Sequence, residues 1–276
     1  YPDTVTVDAD SRKLTGKLGL RYALSAQQNL FLQYAQGFRA PPFSDLNIGL
    51  SLALLNYEVR ANPDLKPERS EGIELGWRAQ WETWEASLSV YDNHYRDLID
   101  SRANLGVDPV SGATVFQSIN RARARIRGAE ADLRWSLDRS PADAWTLRAA
   151  LAWSEGEDTR LNRPLNSIDP AELVLGLRYA PVMADWGAEW ISTATQRMDQ
   201  IDHTAMALFE APGHVVHDLL LWWTPRDHLR LQFGVFNLSN RRYWSWASAR
   251  GLSADSSQLG FYTQPGLNLS MNLSWT

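Results

Sequence analysis

The chain has 276 residues, a formal net charge of -5, no cysteine, 13 Trp and 9 Tyr. With a pI of about 5.6 it lacks the clustered Lys and Arg of a nucleic-acid footprint. The missing cysteines remove disulfides, thiolate catalysis and zinc-thiolate sites together, and no apolar run approaches the roughly 18–20 residues of a membrane helix. A membrane β-barrel stays open, because only every second residue of a barrel strand faces lipid and the average hydropathy does not register that alternation.

The chain opens at "YPDTVTVDADSRKL", with neither a Met nor a basic-apolar leader, so processing or truncation is expected to have removed its front. Apolar residues then recur with a period of two, first at Leu14, Leu18, Leu20, Tyr22 and Leu24. A short turn at "SAQQN" leads to a strand from near Asn29 and then to a long segment, 38–69. The alternation resumes in the pair 70–82 and 83–97, joined only by "ET", through Ile73, Leu75, Trp77, Ala79 and Trp81, then Trp84, Ala86, Leu88 and Val90. After a second long segment, 99–117, "RARARIRGAEADLRW" carries Arg121, Arg123, Arg125 and Arg127 on the parity that Ala129, Ala131, Leu133 and Trp135 then occupy. A bulge at Gly128, or a strand continuing above the bilayer, accounts for that change.

Further alternating runs start at Trp145, Leu173 and Leu229, and the last goes from Leu267 to Trp275, while "HVVHDLLLWW" is apolar on both faces. The connections "DRSPADA", "APVMAD" and "TPRDH" are short; 155–169, 195–213 and 240–264 are long. The prediction is an all-β chain of about eleven antiparallel strands whose short and long connections alternate, the layout of a transmembrane β-barrel. Tryptophans in or near strand ends fit an interfacial belt. A Trp-rich soluble sugar-binding β-protein is the competing reading.

The motifs "GFRAPPFSDLN", "NPDLKPERSEGIELGWR", "GAEADLRW" and "GVFNLSNRRYW", followed by the terminal alternating strand, resemble the distal half of a TonB-dependent outer-membrane receptor, closest to the haem and haemoglobin receptor branch. The resemblance spans essentially all of 1–276. It implies the C-terminal part of a larger plugged barrel, with the plug and the region that contacts TonB lying outside this chain. It also implies a site in the outer membrane of a Gram-negative bacterium and no enzymatic activity. Haem or a haem protein is the implied ligand, with no permanently bound cofactor. Ferric-siderophore uptake and, further off, a passive porin-like barrel are the alternatives.

In the haem branch two boxes bracket an external loop that supplies an axial ligand to haem iron. Phe38, Arg39, Ala40 and Pro41 match the first box; Asn62, Pro63, Asp64 and Leu65 match the second, with Asp64 in place of an Asn. No His lies between them, which leaves Tyr57, a hard oxygen donor suited to ferric haem, as the candidate ligand. Haem iron is the only metal implied. Arg60 is a candidate partner for the phenolate or a propionate, and Leu50, Leu52, Leu54 and Leu55 a candidate apolar wall. The plainer alternative is that the boxes only fold the loop.

His203, in a long loop, and His94, near the external end of its strand, are secondary candidates, His94 as a residue pointing into the vestibule. His214 and His217 fall on opposite strand faces and are not expected to share a metal. The Arg ladder is expected to pair with acidic residues such as Asp97 or Asp100 and Glu155 or Glu157. Tyr243, Trp244 and Trp246 are assigned to the aromatic belt. No nucleophile motif, His-Glu-x-x-His motif or phosphate loop is present.

Overall fold

The computed structural model describes residues 12–137 and 145–275, with Ala122 as backbone only. The expected turn "DRSPADA", 138–144, lies outside them. In chain order the elements are β1 (Lys17–Ala23), β2 (Gln28–Arg39), α1 (Phe43–Asn47), β3 (Leu50–Leu52), β4 (Tyr57–Arg60), β5 (Glu68–Gln80), β6 (Trp84–Val107), β7 (Thr114–Ser136), β8 (Trp145–Asp158), β9 (Arg163–Pro164), β10 (Glu172–Tyr179), β11 (Trp186–Thr195), β12 (His214–Arg226), β13 (Leu229–Phe236), α2 (Trp246–Ala249) and β14 (Asn268–Trp275). All 14 strands belong to one sheet, and eleven of them form its continuous path from β1 to β14. Along that path every neighbouring pair is antiparallel. The expected all-β architecture and its strand number are both present.

The register shows why the period of two decides the fold. Leu18 lies opposite Tyr34 and Tyr34 opposite Ile73, and farther along the sheet Leu173 lies opposite both Leu151 and Ala194. One face is therefore a continuous apolar wall, and its large side chains are exposed, as a surface that meets lipid requires. The other face carries Arg78, Asp132, Arg134, Arg148 and Glu189 around a cavity of about 1080 Å³ that reaches from β1 to β11. That polar face is the concave, lumenal one. No helix among the described residues is long and apolar enough to cross a membrane.

Aromatic residues close the apolar wall at the end of the short turns. Trp81 stacks on Trp84 at 4.2 Å, Trp84 lies opposite Trp135, Trp186 opposite Trp223, and Tyr179 touches both Trp145 and Trp186. Rings with an apolar body and a polar tip suit the headgroup boundary.

One expectation is corrected here, and one of two alternatives is decided. Segment 99–117 is not a free loop: β6 and β7 run on as a hairpin whose register shifts between Asp100 and Ala103 and again between Asn104 and Val107. Those irregularities, with left-handed backbone at Asp97 and Arg102, break the period of two and hide the strands from a periodicity reading. Nor is there a bulge at Gly128, because the register runs unbroken from Arg96 opposite Arg123 to Trp84 opposite Trp135. The strand simply continues past the apolar wall.

Candidate functional site

The segment between β2 and β5 folds onto the extended β6–β7 hairpin. In β3 and β4, Leu50 lies opposite Val59 and Leu52 opposite Tyr57. β4 in turn runs parallel to β7, with Val59 beside Phe116. Directly paired residues share a sheet face, so Tyr57, Leu50, Leu52, Val59 and Phe116 form one apolar platform. The Tyr57 ring lies 5.0 Å from the ring of Phe116, which is itself buried. Leu50, Leu52 and Leu55 are exposed, and Leu54, in the turn between β3 and β4, is fully so. The platform pairs a half-buried phenol with open apolar surface, which suits a flat, apolar, metal-bearing ligand.

Arg60 belongs to the opposite face of β4. Its guanidinium lies 2.7 Å from Glu58 and 2.7 Å from Asp108, whose hydrogen bonds hold it well above its ordinary pKa. The Asp108 carboxyl is held well below its ordinary value, first by the backbone N–H of Ser111, then by Arg60 and the N–H of Val110. This triad locks the loop tip and leaves Arg60 committed to carboxylates.

Both boxes act as scaffold. Phe38 lies opposite Arg69 and Arg39 opposite Glu68 at the top of the β2–β5 pair. Ala40 and Pro41 lead into α1, whose first turn is held by the Asp45 N–H donating to the Pro42 carbonyl. The Asn62 side chain donates to the Ser118 carbonyl and accepts from the Asp64 N–H, fixing the turn at Pro63, and Leu65 is buried against Leu46 and Ile99. Asn120 accepts from the Lys66 N–H and donates to the Lys66 and Asp97 carbonyls.

Other loops meet the platform through residues that carry no motif. A Cβ on Gly251, at φ +85°, would lie 3.0 Å from Phe116. Asn104 donates to the Gly251 carbonyl and to Met206, which packs on the buried cluster of Met198, Ile201, Leu208, Ala211 and Trp246. His203 belongs to this assembly: its Nδ1 accepts from the Leu208 N–H, and its Nε2 lies 3.7 Å from Glu210. Trp246 donates its indole N–H to Asn166, and Trp244 donates to Leu259 while packing on Phe209. These two rings sit in the loop layer, which corrects their assignment to the belt: a neighbouring loop supplies the apolar cover that lipid was expected to supply.

His94 lies on the parity of Leu88 and Val90, opposite Glu71 and Arg125 and 3.4 Å from Asp92. The structure therefore places it on the outer wall and not in the vestibule, because no register shift intervenes below it. His214 and His217 fall on opposite faces of β12, as their spacing requires. In the Arg ladder, Arg121 pairs with Asp100 and Arg127 with Glu155 as expected, while Arg125 pairs with Asp92. Among the described residues no group of three or more His, Asp or Glu is placed to hold a metal ion.

The family model described as "TonB dependent receptor-like, beta-barrel" matches residues 1–238. The probable hemoglobin and hemoglobin-haptoglobin-binding protein 4 of Haemophilus influenzae is 26% identical over 246 residues, covering 80% of this chain and 24% of its own length. The hemoglobin-haptoglobin utilization protein B of Neisseria meningitidis is 25% identical over 263 residues, covering 85% and 32%. The chain thus spans about a quarter to a third of these curated relatives. Among solved structures, the copper transporter OprC superposes with a TM-score of 0.74 at 20% identity, over 95% of this chain and 39% of its own. The ferric enterobactin receptor of Pseudomonas aeruginosa superposes with a TM-score of 0.69, also at 20% identity, over 95% and 40%. At such identity the solved structures show the fold alone. With an antiparallel barrel sheet, an apolar outer wall and a family match over most of its length, the chain belongs to the TonB-dependent receptor-like β-barrel family.

Proposed function

We propose that the chain is the distal part of the barrel of an outer-membrane receptor that captures haem, or haem carried by a protein, for import powered through TonB. The observation that carries this reading is the placement of Tyr57, the one strong candidate iron ligand between the two boxes, on an exposed apolar platform in an external loop. The names of the curated relatives support it. The action is binding and gated passage, with no covalent chemistry and haem as cargo. The sheet edges at β1 and β14 pair with further strands of the same receptor, since unpaired backbone in lipid costs several kcal/mol per group.

Ferric-siderophore uptake is the second reading, favoured by a platform open enough for other bulky ligands. The test is to titrate haemin and a ferric siderophore separately into the intact receptor in detergent, following the Soret band and tryptophan quenching. Saturable Soret binding, weakened about tenfold or more in Tyr57→Phe, is the expected result. Quenching by the siderophore alone would replace the substrate, and ion conduction with no saturable ligand would favour a passive pore.

A further inference from the structure

Three arginines stand in one row across three adjacent strands. Arg69 of β5 lies directly opposite Arg96 of β6, and Arg96 directly opposite Arg123 of β7. All three are exposed, and among the described residues none of them is in an ion pair. Like charges placed directly opposite each other destabilise a sheet. The neighbouring arginines of the ladder differ, since Arg125 and Arg127 each have a carboxylate within 2.8 Å. Facing the row from below are Glu71, His94, Arg125 and Glu157; Arg125 is already paired with Asp92, so Glu71 and Glu157 offset part of the row's charge. Three arginines against two carboxylates leave the row with a positive surplus.

Its position supplies the counter-charge. Unbroken register puts Arg69 on the parity of Ile73 and Leu75, Arg96 on that of Val90 and Leu88, and Arg123 on that of Ala129 and Ala131. The row therefore projects from the outer wall, not into the lumen or onto the Tyr57 platform. Arg69 is four residues beyond Ile73, the last apolar residue of its strand, which is about 13 Å of strand or roughly 10 Å of height at barrel tilt. That is the depth of the headgroup layer, within reach of a side chain as long as Arg. Each guanidinium offers a planar fork of donors matched to phosphate oxygens.

We propose that Arg69, Arg96 and Arg123 form a binding row for the phosphate groups of the glycolipid in the external leaflet. The proposal rests on the outer-membrane reading above but not on haem. It is tested with the intact receptor in glycolipid-free detergent, titrated with bis-phosphorylated lipid A, dephosphorylated lipid A and inorganic phosphate. The variants are Arg69→Gln/Arg96→Gln/Arg123→Gln and, as control, Arg127→Gln/Glu155→Gln. The expected result is saturable binding of the phosphorylated lipid only, at least about tenfold weaker in the triple variant, sensitive to salt and unchanged in the control.

Without glycolipid the triple variant is expected to be at least as resistant to heat as the parent, because it relieves like-charge contacts; a lower resistance would make the row structural and overturn the proposal. Equal binding of dephosphorylated lipid, equal competition by inorganic phosphate, or a parallel loss of haemin affinity in the triple variant would each overturn it too. If the receptor does not enter lipid vesicles at all, the membrane reading itself has failed. If it enters them and shows no preference for phosphorylated lipid, only this row has been misread.

Discussion

At the scale of single residues, the loop tip and the end of β13 carry the sharpest consequences. Asp108 has a folded-state pKa below its ordinary 3.8, so its contribution to loop order is fully present above that value and is lost as pH falls below it. Protection of the Val110 and Ser111 amides, referred to the free-peptide exchange rate at each pH, should therefore fall as pH is lowered below 3.8, and Asp108→Asn should abolish that pH dependence while leaving the barrel intact. Asn237 is nearly fully buried in left-handed backbone at φ 53°. Its amide donates to the Arg241 and Pro265 carbonyls and accepts from the Arg241 N–H. Asn237→Ala loses these bonds and the residue type that tolerates that backbone, a cost of roughly 2–4 kcal/mol, to be measured by equilibrium unfolding of the intact receptor. Tyr57 became the candidate ligand through the resemblance to the haem branch, because the loop between the two boxes carries no His. The roles of Asn104, Phe116 and Gly251 were not, since a loop residue's partner is set by which other loop folds beside it.

At the scale of elements, the extended β6–β7 hairpin is the mast on which the Tyr57 platform is mounted. β4 adds to it as a parallel strand, and Asn120 clamps the return of the loop with two hydrogen bonds to Lys66 and one to Asp97 of β6. Asn120→Ala should free that return, at about 1 kcal/mol per bond. The expected result is faster proteolytic nicking within 60–67 and weaker haemin binding, with an unchanged thermal transition of the barrel. An unchanged nicking rate would mean that the buried cluster of Leu46, Leu65 and Ile99 holds the loop by itself. Strands inside the apolar wall were readable because each residue must choose lipid or lumen. Above the wall that constraint ends, bulges become tolerable, and the same hairpin reads as loop.

At the scale of the whole molecule, the two faces predict opposite responses to charge. Leu175 lies on the outer wall, opposite Ala149 and Ser192, and its neighbour Val174 lines the lumenal cavity. Leu175→Arg should destabilise the receptor folded into lipid vesicles by about 2–4 kcal/mol if it sits near the bilayer midplane. Val174→Arg should change stability far less. Equal costs would mean that the faces are assigned wrongly. Three segments, the platform loop, 196–213 and 240–264, form one connected layer over the external end through Phe116, Gly251, Asn104 and Met206. A ligand held at Tyr57 is thereby in mechanical contact with the loops farther along the sheet.

What the sequence determined by itself is the barrel: the strand number, the antiparallel hairpins, the lipid and lumenal faces and the end that carries the long loops. All of these follow from a local rule, the alternation of side chains along a strand meeting two different solvents. Tertiary structure alone decided the partners above the wall. It committed Arg60 to Asp108, turned His94 outward, buried Trp246 under a loop and set three arginines side by side, because each depends on residues 23 to 80 positions away brought together by strand register and loop packing rather than by any repeat in the chain.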